Sequence, residues 1–157
     1  MRLVNIHNLK RSLDCLCSCL NKLYSINSGG CCYVAYLIAC HLDKLEVKYD
    51  LVIYDYKGKD EACINSEVQN MCLPNSVTGK QTCEHYCISI SGGGVVNKGD
   101  VTYLKKYVVR DITSRNLKWL YRNGDWSEMY NRDDNEYVKG MINSFFSKYE
   151  KNNLSNH

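Results

Sequence analysis

The sequence predicts an α+β fold, with N-terminal helices packed on a small antiparallel sheet and further helices at the C-terminus. Three observations predict it. Leu9, Leu13, Leu16, Leu20 and Leu23 recur at alternating steps of four and three, one apolar stripe of a helix. The middle of the chain holds short β-branched and aromatic runs, two of them separated by three glycines. Near the end, Tyr137, Met141, Ile142, Phe145 and Tyr149 return to helical spacing.

Taken in order, the leucine stripe predicts a first helix over about 8–24. Its Cys15, Cys17 and Cys19 spread around the helical surface and do not converge on one metal. Ser25 to Gly30 consists of turn residues and ends that helix. A second helix opens at Cys31 and runs to about Lys44, burying Val34, Leu37, Ile38 and Leu42. Tyr49 to Tyr56 reads as a strand, and Lys57 to Lys80 as a polar surface excursion. Glu84 to Ser91 and Val95-Val96 form a hairpin around Gly92-Gly93-Gly94, since glycine supplies the positive φ that tight turns need. Another strand is expected over about 106–110, then helices over about 114–121 and 134–149, with a frayed tail from Lys151. No repeat or linker divides the 157 residues, which reads as a single domain over 1–157.

Composition narrows the function. Twenty basic and 17 acidic side chains leave a net charge of only +3, too small for the basic face of a nucleic-acid binder. No stretch approaches the roughly 20 apolar residues of a membrane span, and the first residues lack the apolar core of a signal peptide. Ten cysteines without a secretory signal fit a reducing, cytoplasmic setting in which most thiols act as small core residues.

The chemistry gathers at Gly29-Gly30-Cys31-Cys32-Tyr33-Val34-Ala35. Two glycines turn the chain into a helix whose first turn carries a cysteine. Free N–H groups and the helix dipole there favour an anion, and they also suit the oxyanion of a tetrahedral intermediate. A thiolate nucleophile needs a base that later protonates the leaving amine. His157 is terminal, and His7 precedes the first helix. His41 stands roughly 15 Å along the helix that Cys31 begins. His85, at the start of a strand, remains as the partner. Asn97, across the glycine hairpin, is placed to orient the imidazole, with Asp100 and the more remote Asp111 as substitutes. A zinc site from Cys83, His85 and Cys87 with Cys63 or Cys72 is a weaker reading. Positions two apart along one strand span roughly 13 Å over the three residues, too far for one tetrahedral ion.

Cys31 to Ala35, the apolar helix that follows and the strand Leu51-Val52-Ile53 resemble the nucleophile segment of papain-like and transglutaminase-like cysteine enzymes. In that superfamily a Gly-Cys pair opens a helix, and Ala stands four places on. The His85 strand, the turn and Val95-Val96-Asn97 are similar to its His and Asp or Asn strands. The resemblance covers about 28–97. It implies a papain-like or transglutaminase-like core, with Cys31 as nucleophile, His85 as general base and acid, and Asn97 as orienter. It also implies a protein or peptide substrate and no cofactor or metal. Papain-like enzymes place a Gln before the nucleophile for the oxyanion hole. This chain has none, which leaves Asn27, Ser28, Cys32 or main-chain N–H groups for that role. The adjacent Cys32 competes as nucleophile, but only Cys31 has the Cys-x-x-x-Ala spacing. The segments Trp119 to Tyr121 and Gly124 to Arg132 resemble small phage-encoded proteins of this type, implying host cytoplasm or a virion. A catalytically inactive binding module on the same fold is the alternative, with Tyr54, Tyr56, Trp126 and Tyr130 as its interaction face.

Overall fold

The structure is a computed structural model that describes residues 4–22, 31–55, 84–98, 105–123 and 132–153. Among them, four helices accompany one antiparallel four-stranded sheet, as the sequence predicts at the level of fold class. The expected excursion over 57–80 lies outside the described residues, as do Leu23, Tyr56, Trp126 and Tyr130.

Helix α1 (Ile6–Leu20) starts where Asn5, in an extended conformation, accepts a hydrogen bond from the Asn8 N–H at 3.0 Å. It buries Leu9, Leu13, Leu16, Cys17 and Leu20, while Cys15 and Cys19 face outward. It begins three residues before its leucine stripe, because the cap and not the first leucine sets the start. Helix α2 (Cys31–Lys44) is buried along most of its length. Four residues then connect it to strand β1 (Tyr49–Asp55).

Strand β1 is central. It pairs with β2 (Glu84–Ile90) from Tyr49↔Ile90 to Asp55↔Glu84, and on its other side with β4 (Lys105–Val109) from Leu51↔Val109 to Asp55↔Lys105. The two-residue β3 (Gly94–Val95) pairs only with Ser89 and Ile90 of β2, so the order is β3-β2-β1-β4. Gly92 and Gly94 adopt φ of 80° and 101°, the turn conformation expected of the glycine run. Helix α3 (Ser114–Asn123) opens on a reciprocal cap between Thr113 and Asn116, and α4 (Arg132–Asn153) closes the described chain. Helix α4 extends past Lys151, where a frayed tail was expected.

Alternation along the strands divides the buried side chains. Leu51, Ile53, Tyr86, Ile88 and Ile90 share one core with the buried faces of all four helices, including Leu13, Ile38, Leu117, Ile142 and Phe146. Each such side chain contributes roughly 1.5–3 kcal/mol of transfer free energy. Val52, Tyr54 and Cys87 form a second, smaller cluster with Val95. Tyr54 is therefore buried, not part of an exposed aromatic face. No described helix is long and apolar enough to cross a membrane.

Candidate active site

The connection from α2 to β1 is too short to do anything but reverse direction, so the start of α2 lies at the end of the sheet where β1 finishes. Antiparallel pairing makes the same end the beginning of β2. Helix α2 packs against β2. Cys31, first in its helix, and His85, second in its strand, thus meet despite their distance in sequence.

The Cys31 and Cys87 side chains stand beside the His85 imidazole, close enough to act on its protonation. The ring Nε2 lies 2.7 Å from the main-chain oxygen of Asn97. A carbonyl only accepts, so Nε2 carries a proton and Nδ1 is the nitrogen left to exchange one. Cys87 Sγ donates to the same oxygen at 3.4 Å. Asn97 is thus beside His85 as expected, but in a different role. Its side chain was expected to orient the imidazole, whereas its backbone carbonyl does so. The physical reason is local: β3 ends at Val95, and Asn97 adopts φ of 65°, a left-handed conformation that Asn tolerates and that turns its carbonyl toward the ring.

Helix α1 holds Asn97 in place. The Asn97 N–H donates to Asp14 Oδ1 at 3.0 Å, and Asn21 Nδ2 donates to Asn97 Oδ1 at 2.8 Å. Asp14 also pairs with Lys10 one turn earlier. Asp14 and Asn21 are absent from the residues the sequence singles out, and Cys87 enters there only as a zinc ligand. Asp14 and Asn21 are seven apart beside the leucine stripe, and Cys87 lies two past His85, on the same side of its strand. Those spacings were the available signal.

Electrostatics separates the thiols. Burial opposes a charge on His85, but hydrogen bonds to Cys31 and Cys87, together with their negative charge on ionisation, push the imidazole up to about 12. Burial pushes the Cys87 thiol up, and His85 partly offsets this. Burial, followed by Asp14 and Cys87, pushes Cys17 up to about 12. Cys32 is fully buried and pushed well above the usual thiol range by that burial and then by Cys31, which leaves it a protonated core residue. Cys31 is itself 5% exposed.

Of the remaining candidates, the described His41 and Asp111 do not join this group. His41 stacks on Phe146 with ring centroids 4.3 Å apart and shares a 2.8 Å hydrogen bond with Asn143. Asp111 is an exposed residue in the bend before α3. Asn27, Ser28 and Asp100 lie outside the described residues, as do Cys63, Cys72 and Cys83 of the zinc reading. Among the described residues, no three His, Cys, Asp or Glu side chains are placed to hold a metal ion. The arrangement offers a thiol at a helix start, an imidazole within reach of it and a fixed carbonyl behind the imidazole. No protein-family model, curated protein or solved structure matches this chain.

Proposed function

We propose that this chain is a cysteine-nucleophile amide hydrolase or acyltransferase on a papain-like or transglutaminase-like core. Cys31 is the nucleophile, His85 the general base and acid, and Asn97 the orienter through its carbonyl. The observation that carries this reading is the juxtaposition of Cys31, at a helix start, with an imidazole whose Nε2 is anchored on the Asn97 carbonyl.

The chemistry follows from those contacts. An imidazolium beside a thiol favours the thiolate. The Cys31 sulfur attacks an amide carbon of a protein or peptide substrate; the C–S bond forms as the carbonyl electron pair moves onto oxygen. First-turn N–H groups of α2, Cys32 included, have no partner four residues back within the helix and are suited to that oxyanion. The C–N bond then breaks, and the amine leaves with a proton from His85 Nδ1, giving a thioester. Water or a second amine, deprotonated by His85, attacks the thioester and releases the Cys31 thiolate. The Asn97 carbonyl keeps Nε2 protonated throughout.

The low exposure of Cys31 favours a second reading, a binding module on the same fold that performs no chemistry. Iodoacetamide labelling of the folded protein at about pH 6, mapped by mass spectrometry, separates the two. The exposed Cys15 and Cys19 serve as internal references. In the enzyme, Cys31 is labelled roughly tenfold faster than either reference, and the advantage vanishes in His85→Ala. Labelling of Cys15 and Cys19 ahead of a sluggish Cys31 would leave the binding module.

A further inference from the structure

Amide chemistry as proposed leaves one reactive group beside the imidazole unused, the Cys87 thiol. Its sulfur donates to the Asn97 carbonyl at 3.4 Å, the same oxygen that anchors His85 Nε2 at 2.7 Å. His85 and Cys87 are two apart along β2 and share one side of the strand, and the Cys31 side chain stands beside the same imidazole. Two thiols, one from a helix start and one from a strand, thus flank a single ring, and both are free in the structure. Access to them is graded. Cys31 is 5% exposed and Cys87 only 1%, so a small solute meets the Cys31 sulfur first. Cys32 is a poor partner for Cys31. Adjacent Cα atoms stand about 3.8 Å apart, below the roughly 4.4–6.8 Å that a disulfide spans.

We infer that Cys31 and Cys87 form a redox pair, which a hydroperoxide converts to a disulfide that shuts off the nucleophile and a dithiol reopens. The inference rests on the proposed nucleophile and adds a mode of regulation to it. The Cys31 thiolate attacks the terminal oxygen of the hydroperoxide. The S–O bond forms, the O–O bond breaks, and the departing alkoxide takes the proton on His85 Nδ1. Cys31 is then a sulfenic acid, oxidised by two electrons while the peroxide is reduced to an alcohol, or to water where it is hydrogen peroxide. Nδ1 next removes the Cys87 proton, and the Cys87 sulfur attacks that of Cys31. The S–S bond forms, the S–O bond breaks, and hydroxide leaves as water with the proton from Nδ1. A dithiol restores both thiols by two exchange steps and is itself oxidised to a disulfide.

The test takes the full chain, reduced and then treated with hydrogen peroxide at about pH 7. Remaining thiols are blocked under denaturing conditions, and bridged peptides are mapped by mass spectrometry. The parent protein is expected to yield a Cys31–Cys87 bridge, with iodoacetamide labelling of folded Cys31 down roughly tenfold and restored by dithiothreitol. In Cys87→Ser, peroxide drives Cys31 on to the sulfinic acid, and dithiothreitol no longer restores its labelling. Should that variant fail to fold, the peptide map of the parent decides alone. A reactive Cys31 that stays unbridged in the parent, or bridges to Cys32 or Cys17 instead, overturns the pair and leaves the nucleophile standing. A Cys31 that peroxide leaves untouched and that labels more slowly than the exposed Cys15 and Cys19 sinks both.

Discussion

Asn97 offers one carbonyl oxygen to two donors, His85 and Cys87, from a backbone conformation with φ of 65°. What matters at this residue is therefore conformation first and side chain second. Asn97→Gly keeps the carbonyl and adopts positive φ freely, losing only the hydrogen bond from Asn21, worth roughly 1 kcal/mol. Asn97→Val resists that conformation and displaces the carbonyl. Cys31 alkylation is expected to stay within about threefold of the parent rate in the glycine variant and to drop more than about tenfold in the valine variant. If both variants slow equally, the amide side chain is what holds the imidazole. The sequence put Cys31, His85 and Asn97 on one list, but it carried no sign that Asn97 would act through its main chain. A positive φ outside glycine depends on what surrounds the residue, here Asp14 of α1 and Asn21 at its C-terminal cap, which are distant in sequence.

At the scale of elements, what was readable was what depends on neighbours in sequence. Both the start and the end of α2 follow from the glycines before Cys31 and the apolar spacing after it. The β2–β3 hairpin follows from Gly92 to Gly94. The pairing of β4 with the far side of β1 was not readable, because nothing in Lys105 to Val109 names its partner across some fifty residues of chain. Two glycines test how these elements fit. A Cβ on Gly93, in the hairpin turn, would stand 2.6 Å from Ile6 Cγ2 of α1, whereas one on Gly140, within α4, would meet nothing within 4 Å. Gly93→Ala is expected to destabilise the protein by about 1–3 kcal/mol by pushing α1 off the hairpin. Gly140→Ala is expected to stabilise it by roughly 0.5–1 kcal/mol through helix propensity. Urea denaturation of the two variants should move the midpoint in opposite directions, and a neutral Gly93→Ala would mean that α1 is not seated against the turn.

At the scale of the whole molecule, the shifted groups bind protons more tightly in the folded state than in the unfolded state. The His85 pKa is raised from 6.5 to about 12, so its contribution to stability is full below about pH 6.5 and is lost as pH rises toward 12. Cys17, raised from 9.0 to about 12, acts with the same sign from about pH 9 upward. Stability should therefore decline from neutral to alkaline pH, in two stages. Urea midpoints measured between pH 6 and pH 10 are expected to fall throughout in the parent protein. In His85→Ala the fall should begin only near pH 9, and an unchanged profile in that variant would remove His85 as the source of the first stage.

Asp55 and Glu84 are paired neighbours in the sheet, so the stretch from Tyr56 to Cys83 leaves and re-enters the fold about one strand spacing apart, roughly 5 Å. A stretch whose two ends are fixed this close can lengthen or shorten at small entropic cost, on the order of 0.6 kcal/mol for each doubling. Its base is also the end of the sheet where sulfur and imidazole meet. Changes of length between the two strands thus leave the register of β1 on β2, and the placement of His85 with it, unaltered.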